Sequence, residues 1–190
     1  MKSPALVALL VLFLSASATA VTLVPAPPGI NADAYLLIDF ATGEVLVEHN
    51  IDTRLPPASL TKLMTSYILA EEVDAGRLSL DDEVTVSRNA WSQNPKFRGS
   101  SLMWIEPGKS VTVGELEQGI AISSGNDATV AIAEHIAGSE EAFVALMNRY
   151  AEELALTATH FENTHGLPNS DHLTTARDLG SLAIATIRDH

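Results

Sequence analysis

Ser59-Leu60-Thr61-Lys62 sets a hydroxyl and an amine three residues apart at the start of an apolar, helix-forming run. A serine hydroxyl is a poor nucleophile at neutral pH and needs a base within hydrogen-bond reach. On a helix, residues i and i+3 lie on one face, one turn apart. The spacing therefore brings the Lys62 amine beside the Ser59 hydroxyl. Burial strips solvent from an ammonium and lowers its pKa, so a desolvated lysine can act as that base. Ser59 and Lys62 are thus a candidate nucleophile and general base for acyl transfer. The competing reading of the same residues is a helix N-terminus, with Ser59 near the cap and Lys62 on a solvated face.

Acyl transfer by such a pair also uses a second hydroxyl, which relays a proton to the leaving group, and an amide that positions substrate and lysine. Their sequence form is S-x-N. The chain holds three such triplets: Ser87-Arg88-Asn89, Ser92-Gln93-Asn94 and Ser124-Gly125-Asn126. The first two fall in a long loop. The third lies on a short link between two expected helices, a rigid position that suits a catalytic group. Ser124 and Asn126 are the preferred second hydroxyl and amide. A plain turn, with both residues capping the next helix, is the alternative.

These groups need elements to hold them. Tyr35–Phe40 and Glu44–Glu48 are apolar or alternating runs around Ala41-Thr42-Gly43, the pattern of a β-hairpin. The run from Ala58 to Ala75 predicts a helix closed by Gly76. Glu83–Val86 predicts a short strand, and Ser87–Ser101 a long loop. Thr112-Val113-Gly114-Glu115 has the form of a capping box opening a helix that ends near Ile122. Asp127–Ile136 and Glu140–Leu154 predict two further helices. Residues 157–173 read as loop, and Thr175-Ala176-Arg177-Asp178 has capping-box character before the apolar run Leu179–Ile187. Trp91 and Trp104 are expected to pack under or beside the loop near the site. Glu71, Glu72 and Asp74 read as a solvated helix face or end.

Composition narrows the function classes. The net charge is −13 with no lysine–arginine cluster, which argues against nucleic acid as a partner. The absence of cysteine removes thiol catalysis and thiolate metal sites. Six histidines occur, but no H-E-x-x-H, and His160 and His165 form a loop pair; no metal site or other cofactor is expected. Lys2, the apolar run Ala5–Leu14 and Ala18-Thr19-Ala20 fit a secretory signal over residues 1–20. A proline-rich lead-in over 21–33 and a catalytic domain over 34–190 follow. Past the signal, no apolar run is long enough to cross a membrane.

Taken with their surroundings, these motifs resemble the low-molecular-mass penicillin-binding proteins, serine D-alanyl-D-alanine carboxypeptidases of the S11 peptidase type. The resemblance runs from Asn31 to about Leu182. It rests on the hairpin, Pro56 to Thr65, Arg98-Gly99-Ser100-Ser101, Ser123 to Ala128, His165-Gly166-Leu167 and Thr174 to Asp178. It implies that Ser59 is the acylated nucleophile, Lys62 its base, Ser124 a proton shuttle and Asn126 the group that holds the substrate amide. It also sets His165 near the cleft, although the residue by itself reads as structural. The implied fold is α+β, of the β-lactamase/transpeptidase (DD-peptidase) type. The implied substrate is a peptidoglycan stem peptide ending in D-Ala-D-Ala, with β-lactams as inhibitors.

The family's third motif, K-T-G on a strand lining the cleft, has no counterpart here. The chain is therefore expected to be the N-terminal part of a longer protein, partial at its C-terminus. By the same resemblance, that protein is exported and periplasmic, at the outer face of the inner membrane, anchored through a C-terminal segment absent from this sequence. The hairpin should then show an apolar face and an edge that further strands cover. Two other functions fit the same motifs less fully: a serine β-lactamase, for which an E-x-x-x-N spacing is missing, and a catalytically silent fragment that only binds.

Overall fold

The computed structural model describes residues 26–190; the expected signal sequence and cleavage after Ala20 lie outside the described residues. Residues 26–31 have no regular structure, and residues 32–190 form a compact unit. Strands β1 (Tyr35–Ile38) and β2 (Val45–His49) pair antiparallel, with a register shift between Leu37 and Ile38. At the turn, Gly43 at φ 73° donates to the Asp39 carbonyl, while the Thr42 N–H and hydroxyl both reach the Asp39 carboxylate at 2.8 Å. The turn chemistry read from the sequence is therefore what joins the strands.

The expected helix from Ala58 divides in two. Ala58–Thr61 is a 3₁₀ turn, and the α-helix, α1, covers Lys62–Asp74. The physical reason lies in the approach: Pro56 and Pro57 supply no N–H, and Ala58 sits in the left-handed region at φ 47°. The helix stops as expected, at a left-handed Gly76. Strand β3 (Glu83–Thr85) pairs with a three-residue strand that the sequence reading missed, β4 (Ser110–Thr112). The long loop between them contains a 3₁₀ turn, Pro95–Phe97, capped by Asn94.

Helix α2 (Val113–Ser123) starts at the foreseen capping box, in which Thr112 Oγ1 accepts from the Glu115 N–H and the Glu115 carboxylate accepts from the Thr112 N–H. Helices α3 (Asn126–Ala137) and α4 (Glu140–Glu153) follow. Helix α5 (Ala176–Asp189) is capped by Thr175. Its Asp178 does not close a box. The Asp178 carboxylate instead accepts from the Ala158 N–H and the Thr159 hydroxyl, tying the 157–173 loop to the helix start.

Helices α1 and α3 are the axis of the molecule, because both contribute to two apolar clusters. One gathers Leu69, Phe97, Leu116 and Ile132; the other gathers Met64, Ile68, Phe143 and Leu182. A helix apolar on several sides has no single solvent face. Each such fully buried side chain contributes roughly 1.5–3 kcal/mol. That packing keeps the N-terminal turns of α1 and α3 side by side. On the other flank, β1 and α5 border an open apolar groove of about 450 Å³ with Leu36, Ile38, Leu63, Leu179 and Ile184 on its walls. Exposed Leu37, Phe40 and Leu60 continue it, so the hairpin does present the expected apolar face. No helix among the described residues is long and apolar enough to cross a membrane.

Candidate active site

In a 3₁₀ turn, side chains at i and i+3 eclipse. Ser59 lies inside the turn and Lys62 at its end, so the turn aligns them more directly than an α-helix would. Lys62 Nζ lies 3.4 Å from Ser59 Oγ. Ser59 is exposed to a cleft of about 460 Å³ bordered by Ser100, Asn126, His165, Gly166 and Leu167. Lys62 is only 6% exposed. The solvated-face reading of Lys62 is thereby excluded.

Two further oxygens meet the Lys62 amine. Asn126 Oδ1 lies at 2.6 Å and the His165 carbonyl oxygen at 3.0 Å. An ammonium has three protons to donate and no acceptor capacity; losing one leaves two N–H groups and a lone pair. The amide and carbonyl oxygens can only accept, so they take the two N–H groups of the neutral amine. The lone pair is left for the Ser59 hydroxyl. Burial also pushes the Lys62 pKa down to about 8, against an opposing pull from the Asp127 carboxylate. At pH 7 about a tenth of the amine is then neutral, roughly 300 times more than for a solvated lysine.

Asn126 is the first residue of α3, but its side chain does not cap that helix; the N-cap is Gly125, without a side-chain bond. Asp127, at 0% exposure, fixes this end of α3. Its carboxylate accepts from the N–H groups of Met103, Trp104, Ile105 and Ala128 at 2.8–3.2 Å. The Asn126 N–H in turn donates to the Ser101 carbonyl. Gly125 permits this closeness, since a Cβ there would lie 3.0 Å from the Met103 nitrogen.

Ser124 makes no side-chain hydrogen bond to Ser59, Lys62 or Asn126. It ends α2 in the left-handed region at φ 52°, and its buried hydroxyl has no hydrogen-bond partner among the described residues. A non-glycine residue held there costs on the order of 1–3 kcal/mol, and such strain concentrates at functional sites. The other two S-x-N triplets do local structural work. Ser87 Oγ accepts from the Asn89 and Ala90 N–H groups, Asn89 bridges Glu134 and Lys96, and Asn94 caps the 3₁₀ turn. Trp104 corrects an expectation: it is 70% exposed rather than packed, turned outward by a left-handed backbone at φ 68° that the Asp127 contacts hold in place.

The His165 segment was underestimated by reading the residue types. Its carbonyl, not its ring, reaches Lys62. Gly166, at φ 90°, presses against the turn that carries Ser59, and a Cβ there would collide with the Ala58 carbonyl oxygen. Only glycine fits. Buried His172 adds a second brace. Its Nδ1 accepts from the Glu162 N–H, so Nε2 carries the proton that reaches Thr61 Oγ1 at 2.7 Å. Burial pushes His172 and His165 both down to about 4, so both rings are neutral at pH 7.

Comparison with known proteins agrees with this geometry. The signature of the peptidase S11 family, described as D-alanyl-D-alanine carboxypeptidase, matches residues 21–190. The D-alanyl-D-alanine carboxypeptidase DacC of Escherichia coli is 48% identical over 163 residues, which cover 85% of this chain and 41% of that protein. Penicillin binding protein 5 from Haemophilus influenzae superposes with a TM-score of 0.83 at 40% identity, covering 87% of this chain and 48% of that one. Penicillin binding protein 6B from Escherichia coli gives 0.82 at 46% identity, covering 88% and 53%. The chain spans about two-fifths of the length of the curated relatives it matches. It has the DD-peptidase fold in part, and it belongs to the peptidase S11 family of D-alanyl-D-alanine carboxypeptidases.

Proposed function

We propose that this chain carries the nucleophile and base of a serine D-Ala-D-Ala carboxypeptidase. The substrate is a peptidoglycan stem peptide. Ser59 Oγ attacks the carbonyl of the penultimate D-Ala while Lys62 Nζ takes the hydroxyl proton. The peptide bond breaks, and the terminal D-Ala leaves as its amine after Ser124 passes it a proton. Water then cleaves the acyl ester and frees the shortened peptide. Asn126 holds the substrate amide as well as the lysine. Penicillins acylate the same serine, in keeping with the names of the solved relatives. The signal-like pattern of residues 1–20 supports export to the periplasm, at the outer face of the inner membrane.

One observation carries the reading. The buried Lys62 amine meets two acceptor-only oxygens, of Asn126 and His165, and lies 3.4 Å from the exposed Ser59 hydroxyl. The test is Ser59→Ala in the whole protein that carries this chain. Fluorescent penicillin should no longer label it, and mass spectrometry of the labelled wild type should find the adduct on the Ser59 peptide. Labelling of the variant at the wild-type rate would refute the assignment.

A further inference from the structure

A second carboxylate stands behind the His165 carbonyl, which accepts a hydrogen bond from Lys62 Nζ. Glu140 opens α4, and its side chain is 15% exposed. One oxygen, Oε2, is held by Lys96 Nζ at 2.9 Å. The other, Oε1, lies 3.2 Å from the Thr164 hydroxyl and 3.5 Å from His165 Nε2. The histidine tautomer follows from its other nitrogen. Nδ1 accepts from the Leu167 N–H at 3.1 Å, so Nε2 bears the ring proton and presents it to the carboxylate. Because the ring is neutral, this contact is a polar one between N–H and carboxylate rather than an ion pair. Thr164 is held from two more sides. Its carbonyl accepts from Thr65 Oγ1 at 2.8 Å, and its hydroxyl is shared between Glu140 and Thr129 Oγ1.

We propose that Glu140 is a positioning residue for the general base, acting through Thr164 and the His165 ring to hold the His165 carbonyl against Lys62 Nζ. The inference rests on the functional reading above. Glu140 itself does not touch Lys62. It fixes a two-residue segment whose backbone oxygen supplies one of the three contacts of the amine, and the Gly166 turn behind that segment rests on the Ser59 turn. Several charged and titratable groups surround this link, and Glu141 of α4 and Glu162 of the loop share a pocket with Glu140 and His165. Lys62 faces Asp127 from α3 and His165 from the loop. His165 faces Glu140 from α4, Lys96 from the long loop, Lys62 from α1 and His172 from its own loop.

Removing the carboxylate has two effects on Lys62. A carbonyl acceptor stabilises the ammonium form, so a displaced carbonyl lowers the pKa of the amine. It also leaves the amine less well aimed at Ser59, which lowers the rate. A merely structural role for Glu140 would move the rate without moving the pH at which the base titrates.

The experiment measures the second-order rate of acylation by a fluorescent penicillin, from about pH 6 to pH 10 to bracket the lysine titration. The whole protein is compared with Glu140→Ala and Glu140→Gln, with thermal unfolding of each recorded alongside. For Glu140→Ala the plateau rate should fall roughly 10- to 100-fold, the scale of a small misplacement of a reacting group, and the acid limb should move to lower pH. Glu140→Gln keeps an oxygen for Thr164 and the His165 N–H, and should restore most of the rate and the wild-type limb. A Glu140→Ala protein with the wild-type rate and limb would overturn the proposal. So would a slower one whose limb is unmoved and which glutamine does not rescue. If these profiles behave as expected of a Ser59 enzyme but Glu140 is silent, only this inference falls; labelling that survives Ser59→Ala removes the functional reading beneath it.

Discussion

Acylation of Ser59 should follow the fraction of Lys62 that is neutral, and the structure fixes where that fraction changes. Burial brings the amine to about 8. Deprotonation creates the active base, so the rate rises with pH. The neutral fraction is about 1% at pH 6, about 9% at pH 7 and about half at pH 8, by the titration of one group. The rate should thus climb roughly ninefold from pH 6 to 7, roughly fivefold from 7 to 8, and less than about twofold beyond that. A solvated lysine would instead give about tenfold per pH unit to beyond pH 9. His165 and His172, held near 4, are neutral throughout this range and add no limb of their own. The assay is the initial rate of labelling by a fluorescent penicillin at subsaturating concentration, at constant ionic strength, in the whole protein. A profile flat between pH 6 and 8, or one that climbs tenfold per unit through pH 9, would show that the desolvated Lys62 amine is not the group that takes the proton.

Lys62→Arg keeps a cation in the same place but cannot accept a proton; acylation should drop by roughly 10²–10⁴-fold while the thermal midpoint stays near wild type. A rate close to that of the wild type would mean that the base lies elsewhere. Gly166→Ala forces a Cβ into the Ala58 carbonyl at a left-handed φ, a strain of about 2–5 kcal/mol that should lower the thermal midpoint on the order of 10 °C and slow acylation as well. An unchanged midpoint would mean that the 164–166 loop is not seated on the nucleophile turn. The two buried histidines predict acid sensitivity. Their folded values near 4 lie below the unfolded 6.5, so the unfolded chain binds more protons between these limits; their stabilising share is complete above about pH 6.5 and is lost as pH falls through 4. Thermal unfolding from pH 7 down to about 4.5 should show a falling midpoint, and His172→Gln should flatten the fall. A midpoint that is level over that range would contradict it.

The parts of the site that the sequence discloses are those set by local geometry. Ser59 and Lys62 are three residues apart, and any helical turn brings them together, so their pairing survives the error of expecting an α-turn where the chain makes a 3₁₀ turn. The capping boxes show the same contrast. Thr112 and Glu115 complete theirs because nothing competes for the glutamate. At α5 the loop N–H of Ala158 competes for Asp178 and wins, a contact that crosses 20 residues and leaves no local trace. Strand β4 escaped notice because it runs directly into the Thr112 capping box, so its last residue reads as the start of α2. Burial of Trp104 was a fair expectation from its size, and it fails because a remote carboxylate, Asp127, sets its backbone. The His165 carbonyl has no residue-type signal at all, since every residue carries one; the only clue was the glycine after it, which a close backbone approach requires. What would make Lys62 a base is likewise not in its own segment. Asn126 comes from α3 and the carbonyl from a loop beyond α4. The desolvation that lowers its pKa comes from packing those elements over α1. Arginine at position 62 would leave the S-x-x-basic pattern and the surrounding fold in place, yet no amount of burial would make it a base at working pH. That substitution is therefore the one that separates the lysine's position, which the sequence gives away, from its chemistry, which the tertiary structure supplies.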